Sequence, residues 1–201
     1  MRPQITTAPL IEALLPARSP AQRVVRDVAL MAGFSLLVVL SARVSIPLGF
    51  TPVPITGQTL AVLLTGAVLG SWRGAGTMML YLMEGAWLPV FAGGRIGPVW
   101  ELASGGYIIG FIPAAYVVGL LCERGWDRRV WIMLAMLAGN VLIYIPGLIQ
   151  LKFFVPEGKV LEYGLYPFIP GDLIKIYVAS LLLPAAWMLV GRWRGAGAPW
   201  S

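Results

Sequence analysis

Pro170-Gly171-Asp172-Leu173-Ile174-Lys175 opens the last apolar stretch of the chain, which then runs to Val190 without another charge. Pro and Gly mark a helix entry, and Asp172 and Lys175, three residues apart, share one face of that helix. An apolar helix of about 20 residues is long enough to cross a bilayer. An acid and a base inside it are costly to expose to lipid, so they face protein, water or a ligand. The stretch predicts a membrane-spanning helix with a polar site near its entry.

The composition agrees. The chain has 201 residues, 58% hydrophobic and 12% charged, and a mean hydropathy of +0.80. A soluble domain carries about 25% charged residues. There is no histidine, and Cys122 stands alone. An internal disulfide, His-based triads, His-metal sites and CxxC zinc sites are therefore excluded, and neither a metal nor a catalytic site is expected. The net charge of +6 is not a nucleic-acid signal without a basic face on a soluble fold. Arginine in the loops of a membrane protein accounts for it better.

Working back from the last stretch, hydropathy divides the chain into spans of about Val28–Ile46, Thr59–Ser71, Ala75–Val90, Tyr107–Cys122, Val130–Leu151 and Phe168–Val190, with Pro184 a kink in the last. The expected fold is an all-α membrane protein, a bundle of six transmembrane helices. Residues 1–27 are expected as a cytoplasmic tail, 28–192 as the transmembrane domain and 193–201 as a second cytoplasmic tail. Pro3, Pro9, Pro16 and Pro20 argue against a long helix in the first tail. Ile11–Leu15 could form one amphipathic turn on the membrane surface. The first apolar run starts too late and is too long for a cleaved signal.

Six spans place both termini on one side. That side holds Arg2, Arg18, Arg23, Arg26, Arg73, Arg124, Arg128, Arg129, Arg192 and Arg194; the other holds Arg43, Arg95, Lys152, Lys159 and Lys175. Ten basic residues against five put the termini in the cytoplasm. The segments 47–58, 91–106 and 152–170 then lie outside, together with Asp172 and Lys175. The first of these, Pro47 to Gln58, has three prolines and two glycines, so it is a structured loop or re-entrant turn. A cavity that opens outward is expected.

Several residues are candidates to line it. Asp172 accepts and Lys175 donates, which suits a ligand with both N–H and carbonyl or carboxylate groups; the structural alternative is a helix cap with its own counter-ion. Asn140, near mid-membrane, either contacts ligand or bonds between helices. Glu84, with Tyr81 one turn earlier, lines the cavity or braces it. Thr56 and Gln58 lie in the proline-framed loop, and Arg95 in a Gly-rich outer loop offers a fork for a carboxylate. Phe91, Tyr107 and Trp100 could wall in a ring. No Gly-x4-Gly-Lys-Ser/Thr motif occurs, since Gly158-Lys159 lacks the spacing, so the chain should not hydrolyse ATP. Ala29 and Gly33, four apart with Ala32 beside them, make one flat face on the first helix, for packing in the bundle or for another protein.

In order along the chain come Thr51-Pro52-Val53-Pro54-Ile55-Thr56-Gly57-Gln58-Thr59, Tyr81-Leu82-Met83-Glu84-Gly85-Ala86 with Leu88-Pro89-Val90-Phe91-Ala92-Gly93-Gly94, Gly105-Gly106-Tyr107 with Gly110-Phe111, and Pro167-Phe168-Ile169-Pro170-Gly171-Asp172-Leu173-Ile174-Lys175. Together they resemble the BioY family, the biotin-capturing S components of energy-coupling-factor (ECF) transporters, over about residues 28–190. The resemblance implies a prokaryotic plasma-membrane protein with six helices and an outward biotin site. It implies no cofactor, and coupling through a membrane-embedded T component to two cytoplasmic ABC ATPases, with Ala29 and Gly33 docking on the T component. In the implied site Asp172 accepts from the ureido N–H groups, Asn140 or Gln58 completes that set, and Lys175 or Arg95 neutralises the carboxylate. Glu101-Leu102-Ala103-Ser104 replaces the family's Gly-Pro-Thr before Gly-Gly-Tyr, and Trp87-Leu88-Pro89 is one residue tighter than usual. The alternatives are a proton-coupled or ECF-type carrier of another small vitamin or organic anion and, less favoured for want of a nucleophile motif, an intramembrane enzyme using Glu84 or Asp172 as base.

Overall fold

The computed structural model describes residues 9–127 and 129–195. Its helices are α1 (Leu10–Leu14), α2 (Pro20–Arg43), α3 (Gln58–Leu69), α4 (Ser71–Trp87), α5 (Gly105–Leu121), α6 (Arg129–Leu151), α7 (Val160–Gly164) and α8 (Ile169–Gly195). The long ones, α2 to α6 and α8, are the six-helix bundle expected from hydropathy. Four of the spans, those built on α2, α5, α6 and α8, are long and apolar enough to cross a membrane. The other two, α3 and α4, have 12 and 17 residues.

Boundaries follow local chemistry where hydropathy misplaces them. The Ser19 side chain accepts from the Gln22 amide and Pro20 occupies the first turn, so α2 starts at Pro20 and not at Val28. Hydropathy misses that polar first turn, which capping and a preset proline φ favour. The segment before it does not lie loose. Leu10 and Ile11 of α1 are buried, and α1 packs on α3 and α8. Arg73 of α4 ties it down, 2.8 Å from Glu12 and 3.0 Å from Asp27 of α2. The stretch 152–166, expected as a plain polar connection, contains α7, and α8 runs on through Pro184. The expected tail at 193–201 lies outside the described residues from 196 on, as do residues 1–8 of the first.

The helices alternate in direction. At one end Asp27 meets Arg73, and Ser71 donates its amide to Glu123 at 2.7 Å. At the other, Arg43 reaches the Pro89 carbonyl, Gln150 donates to Val99 and Leu102, and Lys175 reaches Thr59. The start of α2 and the end of α8 lie at the first end, and the loops 44–57, 88–104 and 152–168 gather at the second. The proline-framed segment is a structured loop, as expected: β1 (Ser45–Ile46) pairs antiparallel with β2 (Ile55–Thr56).

Helix α5 lies at the centre, packed on α3, α4 and α6. Small residues let it do so. A Cβ on Gly66 would strike the Ala115 carbonyl, and one on Gly110 would sit 2.8 Å from the Ile143 Cα. With no hydrophobic force between helices in lipid, such close backbone contact is what holds them together.

Candidate functional site

At the loop end, α3, α5, α6 and α8 leave a cavity of about 560 Å³ of unfilled space, counting its open mouth. Most of the wall is apolar, with Val53, Ile108, Phe111, Ile143 and Phe168 among the lining residues. The polar groups converge at Asp172, which is buried with 6% of its surface exposed. Lys175 Nζ lies 3.1 Å from Asp172 Oδ1 and donates to Thr59 Oγ1 at 2.7 Å. Thr59 also faces Asp172 Oδ1 at 3.4 Å. The Tyr144 hydroxyl donates to Asp172 Oδ2 in a short hydrogen bond.

That cluster defines what the cavity can bind. A carboxylate offers about four acceptor positions, and three donors already hold this one, which leaves capacity for a ligand N–H. Its charge is matched by Lys175, the cation among the lining residues. The inner end therefore suits a neutral, flat group carrying both N–H and C=O, set among apolar side chains.

Of the residues expected at the site, Asp172, Lys175, Gln58, Thr56 and Tyr107 line the cavity. The Tyr107 hydroxyl also donates to the Gly164 carbonyl at 2.8 Å, fixing α7 over the cavity wall. Gln58 Nε2 donates to the Tyr81 hydroxyl at 2.6 Å, and Tyr81 donates to the Val90 carbonyl at 3.2 Å. Five expectations land elsewhere. Glu84 turns away toward α2, where Ser35 donates to it at 2.6 Å. Phe91 is core, edge-on to Tyr81 at 5.5 Å, with its ring filling the space beside Gly85. Asn140 is buried below the lining residues, its Oδ1 without a hydrogen bond among the described residues. Arg95 lines an adjoining outer groove. Trp100 is 71% exposed and is not among the residues lining the cavity.

Tyr144 and Thr59 are the residues that the sequence reading missed. Tyr144 follows Asn140 by four residues, one helical turn on the same face of α6. That spacing was the available signal. Its ring packs edge-on to Tyr107 at 6.0 Å, which holds the hydroxyl over Asp172.

On the opposite flank, Ala29 and Gly33 are exposed, and a Cβ built on Gly33 meets nothing within 4 Å. Among the described residues, nothing of this chain covers the α2 surface at Ala29 and Gly33. The residues that α2 buries in the bundle are Ser35, Val38 and Ala42.

Comparison with known proteins gives a consistent picture. The model of the BioY family matches residues 11–192. A protein of Rhodobacter capsulatus named biotin transporter BioY is 41% identical over 175 residues, 78% of this chain and 90% of that protein. One of the same name from Thermotoga maritima is 41% identical over 152 residues, 74% of this chain and 88% of its own. Among solved structures, the S-component for biotin from an ECF-type ABC transporter superposes with a TM-score of 0.72 at 26% identity, covering 83% of this chain and 93% of that one.

Proposed function

The chain belongs to the BioY family, and from that premise we propose that it captures biotin in the cavity above Asp172 for uptake across the membrane. Its fold and its relatives are those of transporter subunits and not of enzymes. The observation that carries the reading is the cluster of Asp172, Lys175, Tyr144 and Thr59 at the polar end of an otherwise apolar cavity. Biotin has a neutral ureido head with two N–H groups and a carbonyl, an apolar thioether ring, and a carboxylate tail. The head pairs with Asp172, its carbonyl takes a donor from Lys175 or Gln58, and the ring lies against Ile108, Phe111, Ile143 and Phe168.

The carboxylate points outward. Inside the cavity Lys175 is already committed to Asp172, so the tail is matched by Arg95 in the adjoining groove. The excess of arginine toward the end where α2 starts and α8 finishes supports a cytoplasmic side there and a cavity that opens outside. Energy comes from partners: a membrane-embedded T component and two cytoplasmic ATPases, as the ECF assembly of its structural relative implies.

Detergent-purified protein should bind biotin saturably and ignore riboflavin and thiamine. Equal binding of the three, or none of biotin, sinks the assignment. In the same titration Tyr144→Phe should weaken biotin about tenfold, the worth of one hydrogen bond to a charged group. The phenyl ring keeps its packing on Tyr107 but no longer holds Asp172 Oδ2. Unchanged affinity would show that Lys175 and Thr59 alone orient the carboxylate.

A further inference from the structure

Beside the biotin cavity, and sharing Pro54 and Ala92 with it, lies a wider groove of about 1070 Å³ of unfilled space, counting its open mouth. β1 and the loop after it form one bank, through Ser45 and Thr51, and Gly93, Gly94 and Arg95 form the other. Arg43, at the end of α2, also lines it. Among the described residues neither arginine is paired with a carboxylate. Arg43 donates through one Nη to the Pro89 carbonyl at 2.5 Å, which anchors the guanidinium. Among the described residues its other Nη and its Nε make no hydrogen bond.

Two guanidinium groups face one groove, and among the described residues no carboxylate forms an ion pair with either. The groove therefore carries a positive field that favours an anion. Gly93 and Gly94 both have φ of +72°, where a side chain is strained, so this bank stays bare of side chains beside Arg43. A single vitamin carboxylate at Arg95 accounts for one of the two cations. It leaves Arg43 and much of the volume unused.

We propose that this groove is a second compartment of the binding site, and that the protein also takes biotin extended at its carboxyl end. The class is the amide of biotin with an amino acid, whose own carboxylate then lies a few bonds further out, against Arg43. The proposal rests on the biotin reading above. Amidation removes the tail's charge at its original position, and a carboxylate beyond the amide restores it where Arg43 waits. The ureido head stays at Asp172 throughout, so one cavity serves both ligands.

The test titrates detergent-purified protein with biotin, biotinylglycine and the neutral biotin methylamide. Biotinylglycine should bind about tenfold or more tighter than the methylamide, the worth of a charge-assisted contact to arginine. Arg43→Gln should close most of that gap. Arg95→Gln is the second variant, and it should weaken free biotin more than biotinylglycine. Equal affinity of the two amides in the wild type overturns the proposal, and so does a gap that survives Arg43→Gln. Failure of free biotin to bind at all overturns the underlying biotin assignment instead.

Discussion

Asp172→Ala lowers biotin affinity by about three orders of magnitude, as isothermal titration of the purified protein should read. The carboxylate accepts from Tyr144, Thr59 and Lys175, so its orientation is set before ligand arrives. Such preorganisation means that no ordering cost is subtracted when the ureido head binds. The one N–H for which the carboxylate has room is worth about 1.5–3 kcal/mol, and the loss of the anchor that orients Tyr144, Thr59 and Lys175 around the ureido head makes up the rest. Removing the carboxylate also strands the Lys175 ammonium, which keeps 18% of its side-chain surface exposed. Asp172→Asn separates the two effects. It retains shape and one acceptor oxygen but no charge, and its loss should be about a hundredfold. Adding Lys175→Met to Asp172→Asn should cost little more, because the stranded cation leaves with its partner. Thermal unfolding in detergent shows whether each variant is folded. Wild-type-like affinity in folded Asp172→Ala removes Asp172 from the site.

The bundle was legible because lipid imposes a simple code. A membrane span must be apolar for its whole length, so windows of hydropathy find helices directly. The ends of helices escape that code, as the start of α2 at Pro20 shows, since caps and prolines decide them. The polar end of the site was legible for the same reason. A charge inside an apolar helix has few stable uses, and Asp172 with Lys175 was such a pair. Glu84 obeyed the rule that a buried acid needs a partner, but sequence does not show which helix supplies it, and Ser35 of α2 does. Phe91 was expected at the cavity wall, whereas Tyr144 was not singled out at all. An aromatic in an outer loop packed into the core, while one deep in α6 turned its hydroxyl onto the key carboxylate. Period and composition are blind to that difference, which is fixed by where neighbouring helices leave room.

The flat face of α2 is where binding and uptake should come apart. Gly33→Trp is expected to leave biotin affinity near the wild-type value and to cut uptake by cells carrying the partner proteins by about tenfold or more. The site is remote from this residue: its groups come from α3, α5, α6 and α8, whereas Gly33 is exposed on α2 and has open space around it. Nothing within the chain explains why that surface is smooth. Helices in lipid associate through van der Waals contact at small residues, and an indole there holds a partner helix too far off to make it. Ala29→Trp, one turn away on the same face, should behave alike. Leu37→Ala is the control, because Leu37 is also exposed on α2 and truncation adds no bulk. Radiolabelled biotin uptake, paired with titration of each purified variant, reads the two quantities separately. Full uptake in Gly33→Trp would mean that the face is merely lipid-exposed. Lost binding would mean instead that α2 moves against the bundle when the ligand enters, with Ser35 and Glu84 the contact through which the cavity senses it.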